Sequence, residues 1–139
     1  MQYKGDEVFD RIEVLCEQGE AYIERGKYRS ALQKFWKAFD LLPEPKIQYP
    51  SGTWLLTAIG DLNFIVGNFD GGIKNLTEAK KFTAGTNNGF INFRLGQCQY
   101  EKGNIKEALK EFNIAYKLEG ITIFEDEDPT YLTFFNKHI

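Results

Sequence analysis

The sequence predicts an all-α protein: an α-solenoid of three helical hairpins, closed by a short C-terminal capping helix. Three observations predict it. A pattern of small and bulky residues recurs three times at fixed offsets. Within each copy the apolar residues return at helical spacing. The closing stretch EDEDPTYLTFFNKHI joins a helix-start signal to an apolar face, which a stack of repeats needs at its last open side.

The pattern is set by Gly19, Gly26, Tyr28, Ala31, Phe35 and Ala38. Gly60, Gly67, Phe69, Gly72, Leu76 and Ala79 repeat every offset, and so do Gly96, Gly103, Ile105, Ala108, Phe112 and Ala115. A match in residue class at every position of three copies marks repeat architecture. In the first unit, at about 6–43, Ile12, Leu15, Gly19, Tyr22 and Ile23 form one helical stripe, and Ala31, Leu32, Phe35, Ala38, Phe39 and Leu42 a second. Gly26 stops the first helix by adopting a backbone conformation closed to residues with a Cβ. Gly19, Gly60 and Gly96 lie inside helices, at a cost of about 1 kcal/mol each against Ala. That cost is tolerable where a missing side chain lets the paired helix come close.

A connector follows at 44–51, where Pro45 and Pro50, with Pro43 just before it, favour extended chain over helix. The second unit, at about 52–84, has Asn68 as the cap of its second helix, which the pair Gly71 and Gly72 is expected to weaken. The third, at about 88–120, has Asn104 in the same place, and Glu107 completes the spacing of a capping box. The capping helix, at about 128–138, has Asp128 as N-cap, Pro129 in the first turn, and Tyr131, Leu132, Phe134 and Phe135 as its apolar face.

These motifs resemble the tetratricopeptide-repeat family, whose signature of about 34 residues runs W-x2-L-G-x2-Y, then A-x3-F, then A and P. Gly19, Tyr22, Ala31, Phe35, Ala38 and Pro43 stand in register with it. The second unit has Asn63 at the Tyr and Gly72 at the first Ala; the third has Gln99 at the Tyr and Gly120 at the Pro. The resemblance spans roughly 8–120 and implies a fold of stacked helix pairs whose first helices line a concave groove.

Composition narrows the functional classes. One domain of 139 residues is long enough for its own core. The stretch MQYKGDEVFDRIEV has no apolar signal core, and no apolar run is long enough for a membrane helix, so a cytoplasmic location is expected. Cys16 and Cys98 are read as reduced, half-buried helix residues. The net charge of −3 argues against nucleic acid as a partner. His138 is the one histidine and stands at the chain end, where a surface role outweighs a catalytic or metal role. The EDED run lacks the rest of a calcium loop and reads as a solvated turn. No enzyme, cofactor or metal site is expected.

What remains is surface. Glu13, Glu17, Glu20 and Glu24 fall on one helical face, in a segment from Asp6 to Arg25 with seven acidic and two basic residues. The resemblance places this stripe on the groove, with Trp54 and Asp61 from the second unit and Phe90, Arg94, Gln97 and Tyr100 from the third. Aromatic anchors beside charge are what protein interfaces use. Some family members clamp a partner's terminal carboxylate with basic residues here. This chain has Cys16 and Glu20 where such a clamp would start, and Arg94 alone matches it in type. The expected function is non-catalytic binding of a protein or peptide with a basic surface, the protein itself being a monomer or weak homodimer. Two alternatives stand beside it. The LLPEP connector, the Trp-bearing second unit and the FEDEDP ending resemble small bacterial proteins found near polymorphic toxins, which implies an immunity protein. A self-associating assembly module is the other.

Overall fold

The helices follow the repeat unit by unit. The computed structural model describes residues 4–82 and 85–138, with side chains from residue 7 onward. It contains α1 (Lys4–Glu24), α2 (Tyr28–Leu41), α3 (Pro50–Ile65), α4 (Phe69–Ala79), α5 (Gly89–Glu101), α6 (Ile105–Glu119) and α7 (Pro129–Asn136). Short 3-10 turns at Lys46–Gln48 and Ile121–Phe124 complete it, and no strand occurs among the described residues. Helices pair as α1 with α2, α3 with α4 and α5 with α6, while α2–α3 and α4–α5 contacts stack the pairs.

The inner glycines explain the pairing. A Cβ on Gly19 would lie 2.8 Å from the Phe35 ring, on Gly60 2.6 Å from Leu76 Cγ, and on Gly96 2.6 Å from the Phe112 ring. Each glycine thus receives the bulky residue of its own unit's second helix, at the same offset every time. The turn between the two helices is made by Gly26, Gly67 and Gly103, with φ of 71°, 83° and 82°. Those values lie in the left-handed region, where a Cβ is penalised.

Burial follows the same residues. Ala31, Phe35 and Ala38 pack with Ile12, Leu55 and Ile59; Leu76 and Ala79 pack with Ile91 and Cys98. Ala108, Phe112 and Ala115 pack with Phe93 and with Phe124, Tyr131, Phe134 and Phe135 from the chain's end. Each fully buried Phe or Leu contributes about 1.5–3 kcal/mol relative to exposure. Helix α7 therefore covers the last hairpin. Asp128 caps it by accepting from the Thr130 N–H at 2.9 Å, and this bond holds the carboxyl below its ordinary range.

Several local expectations change. Pro50 and Ser51 belong to α3, not to a connector, because Pro suits the first helical turn, where no N–H is needed. The connector is not wholly extended: Lys46–Gln48 forms a turn, and Lys46 Nζ donates to the Leu42 and Asp40 carbonyls at the end of α2. The Gly71–Gly72 pair does not interrupt α4. A Cβ on Gly72 would lie 2.9 Å from Cys98 Sγ, so Gly72 is where α4 meets α5; one on Gly71 would strike the capping amide of Asn68. Asn68 caps as expected, accepting from the Gly71 N–H at 3.1 Å. Asn104 makes no such cap and no capping box; its amide nitrogen donates to Gln99 Oε1 at 2.7 Å. Cys98 is fully buried, not half-buried. Residues 83 and 84, the expected end of the second unit, lie outside the described residues.

Candidate functional site

Helices α1, α3 and α5, the first helix of each pair, carry every residue of the expected binding face. On α1, Glu13, Glu17, Glu20 and Glu24 are all exposed. Three of them converge on one thiol. Cys16 is half-buried, and its pKa is pushed up to about 11, first by burial and then by the charges of Glu20, Glu13 and Glu17. A thiol held this way is protonated at neutral pH and unsuited to nucleophilic chemistry.

On α3, Trp54 is 46 % exposed and meets the Phe35 ring edge-to-face at 5.6 Å, so the indole is displayed while one edge is anchored in the core. It borders a depression lined by Pro50, Thr53, Thr57 and Asn88, between α3 and the start of α5. Tyr49, by contrast, is half-buried against Phe9, with ring centroids 5.3 Å apart.

The densest chemistry lies between α3 and α5. Arg94 is only 8 % exposed. Its Nε stands 2.8 Å from Asp61 Oδ1, a charge contact without hydrogen-bond alignment. Its Nη1 donates to Glu127 Oε1 at 2.8 Å and to Gln97 Oε1. The guanidinium also lies 4.9 Å from the ring centres of Phe64 and Phe90, within cation–π range. Gln97, with no exposed surface, closes the group by donating from Nε2 to the same Glu127 oxygen at 2.8 Å. Burial raises the Asp61 carboxyl above its ordinary value; Arg94 counters that, and Glu127 adds to it. The cluster joins the second pair, the third pair and the segment before α7 around one cation with two carboxylates.

A turn further along α5, Tyr100 packs edge-on against Tyr131 and Phe134. Tyr131 Oη donates to Glu101 Oε2 at 2.9 Å. Tyr100, Thr130, Thr133, Phe134, Lys137 and His138 line an open depression there. His138 Nδ1 is 2.8 Å from the Phe134 carbonyl and its ring packs on Phe134, which accounts for it structurally.

The structure thus brings Asp61, Phe90, Arg94 and Gln97 together, with Tyr100 beside them. Gln97 is too buried to touch a partner and serves as the floor. Among the described residues no hydrogen bond, ion pair or ring contact joins this cluster to the α1 stripe. Sequence reasoning missed Glu127: the EDED run read as a solvated turn, yet Glu127 is half-buried and holds Arg94 and Gln97. Nothing local separates it from Glu125 or Asp126; only the fold brings it to α5. Among the described residues no group of three or more acidic, His or Cys side chains is arranged to hold a metal, and no helix is long and apolar enough to cross a membrane.

Comparison with solved structures places the architecture. The first tetratricopeptide-repeat domain of Spaghetti (RPAP3), bound to the HSP90 peptide SRMEEVD, superposes with a TM-score of 0.71 at 19% identity, covering 92% of this chain and 90% of that one. The fold is that of the tetratricopeptide repeat. The Yersinia enterocolitica type III secretion chaperone SycD, in complex with a peptide of the translocator YopD, gives 0.74 at 17% identity, with 92% of each chain covered. The first tetratricopeptide domain of human RPAP3 gives 0.71 at 20% identity, covering 91% of this chain and 94% of that one. No protein-family model matches the chain, and no curated protein does.

Proposed function

We propose that this tetratricopeptide-repeat chain is a non-catalytic binding module that takes a basic peptide or protein segment across α1, α3 and α5. Two neighbours of the same fold hold peptides, one of them the acidic SRMEEVD. The observation that carries the reading here is the state of Arg94. The guanidinium is buried and already matched by Asp61 and Glu127, so it is not offered to an incoming carboxylate. What the face does offer is Glu13, Glu17, Glu20 and Glu24, together with the displayed ring of Trp54. Such a surface steers cations toward it and repels acids. The aromatic side chains supply the apolar anchors that give such contacts lifetime. The overall negative charge fits a cytoplasmic protein that avoids nucleic acid and membrane surfaces.

Fluorescence anisotropy with two labelled peptides of equal length tests this. One is SRMEEVD; the other is SRMKKVK, in which Lys replaces each acidic residue and the C-terminus is amidated. The basic peptide should bind, more weakly as salt is raised, and the acidic one should not. Tighter binding of SRMEEVD would overturn the reading of Arg94 and return the face to a carboxylate clamp.

A further inference from the structure

Helix α1 has a second uncovered face. Its buried side runs through Ile12, Leu15, Cys16, Gly19 and Tyr22, and its acidic side through Glu13 to Glu24. The third side is the stripe Glu7, Arg11, Val14, Gln18, Ala21 and Arg25, every member exposed, with Val14 at 51 %. Its spacing alternates four and three residues, so it keeps to one side of the helix, with Val14 and Ala21 as its apolar members and charged residues at both ends. Two depressions run along it and share Gln18: one reaches Val14 and Leu15, the other Ala21, Tyr22 and Lys34 of α2. At the other end of the stack the corresponding side is covered by α7, which buries Phe134 and Phe135. No described residue covers the outer side of α1.

The stripe is complementary to itself when reversed. Laid antiparallel on a copy about a two-fold axis between Val14 and Gln18, Glu7 faces Arg25, Arg11 faces the small Ala21, and Val14 faces Gln18. Both ends then carry a Glu–Arg pair. Lys34 beside Arg25 adds to the basic end, whereas Asp10, which lines the first depression, adds to the acidic end. Among the described residues Glu7, Arg11 and Arg25 form no ion pair within the chain, so the charges are available. A parallel arrangement sets like charges against each other at both ends. Two-fold contacts require this kind of self-matching surface.

We propose that the outer face of α1 is a homodimer interface, antiparallel about a two-fold axis, with Glu7 of one copy paired to Arg25 of the other. One helix face per copy buries little area, so the dimer is weak and concentration-dependent. The face used is not the acidic one, so both groove surfaces stay open and a dimer presents two of them. The proposal is independent of the groove reading.

Sedimentation equilibrium of the full chain over a wide concentration range tests it. The parent should self-associate reversibly. Glu7→Arg and Arg25→Glu, each turning two attractive pairs into two repulsive ones, should each weaken the dimer roughly tenfold or more. The double variant, which swaps the charges, should restore it. All positions are exposed, so circular dichroism should show unchanged folding. In a Cys16→Ser background, Val14→Cys combined with Gln18→Cys should form an intermolecular disulfide faster than either single cysteine. A parent that stays monomeric throughout overturns the proposal. So does a dimer indifferent to Arg25→Glu, which places the contact elsewhere, or a double variant that fails to recover.

Discussion

Replacing Gly96 by Ala sets two known effects against each other, and the structure decides the sign. In a helix interior Ala is favoured over Gly by about 1 kcal/mol. Here the added Cβ would stand 2.6 Å from Cδ1 and Cε1 of Phe112, closer than real contacts allow, so the ring or the helix must move. Phe112 has no free direction. It is fully buried, with Phe93, Phe124, Tyr131 and Phe134 around it at centroid distances of 5.5, 5.5, 6.2 and 6.0 Å. Overpacking an enclosed site costs about 1–3 kcal/mol, and at this closeness the upper half of that range applies. The net expectation is a loss of about 1–2 kcal/mol, or roughly 3–10 °C in Tm for a domain of this size. Urea unfolding followed by circular dichroism measures it. Adding Phe112→Leu makes room for the Cβ, so the double variant should lose less than the two single changes together. A Gly96→Ala protein as stable as the parent, or more so, would show that helix preference wins, and would remove the close contact on which the account of the inner glycines rests.

Three other outcomes follow from the same structure. Deleting residues 128–139 uncovers Phe93, Phe112 and Phe124, so the product should aggregate or lose cooperative melting; a monomer with unchanged Tm would count against α7 as the cap. Cys98, buried and with its pKa pushed up to about 12, should resist iodoacetamide in the native state, and Cys16 should react slowly; Glu17→Gln with Glu20→Gln lowers the Cys16 pKa and should speed its alkylation, which mass spectrometry follows. For Asp61 the folded pKa lies above the unfolded value of 3.8, so the folded state binds the proton more tightly. This carboxyl's contribution to stability therefore improves as pH falls through its folded pKa toward 3.8 and worsens as pH rises through that window. Asp61→Asn should flatten that part of the stability profile, and a profile unchanged by the substitution would contradict the burial of the charge.

The sequence carried the scaffold because the repeat is written in residues that act locally. Gly19 with Phe35, and Gly96 with Phe112, are pairs within one hairpin, and a three-fold recurrence makes them visible. Asp128 before Pro129 is a local signal too. The departures arise where two residues compete for one role. Asn104 has the chemistry of a helix cap, but Gln99, at the position where the first unit has Tyr22, captures its amide. Asn68 Nδ2 makes a longer version of the same contact to Asn63 at 3.5 Å, while its Oδ1 accepts the cap from Gly71. Gly71 and Gly72 looked like weakness, since propensity alone says so; the reason for Gly72, Cys98 on the neighbouring helix, is a contact between units, and the reason for Gly71 is the capping amide of Asn68. The candidate site was legible as a face but not as a network. Asp61, Arg94 and Gln97 fall on the right sides of their helices by spacing, whereas Glu127 reaches them only through the turn before α7. Whether Trp54 is displayed likewise depends on how far α3 stands from α2, which periodicity does not state.

The central claim is that the first-helix face of this stack receives a basic segment. Amide chemical-shift mapping of the isotopically labelled protein, titrated with the amidated peptide SRMKKVK, tests it most directly. The account predicts shifts concentrated in α1, α3 and α5, around Glu17, Glu20, Trp54 and Asp61, with α2, α4 and α6 left nearly unchanged. Shifts concentrated on α2, α4 and α6, or none at saturating peptide, would contradict it.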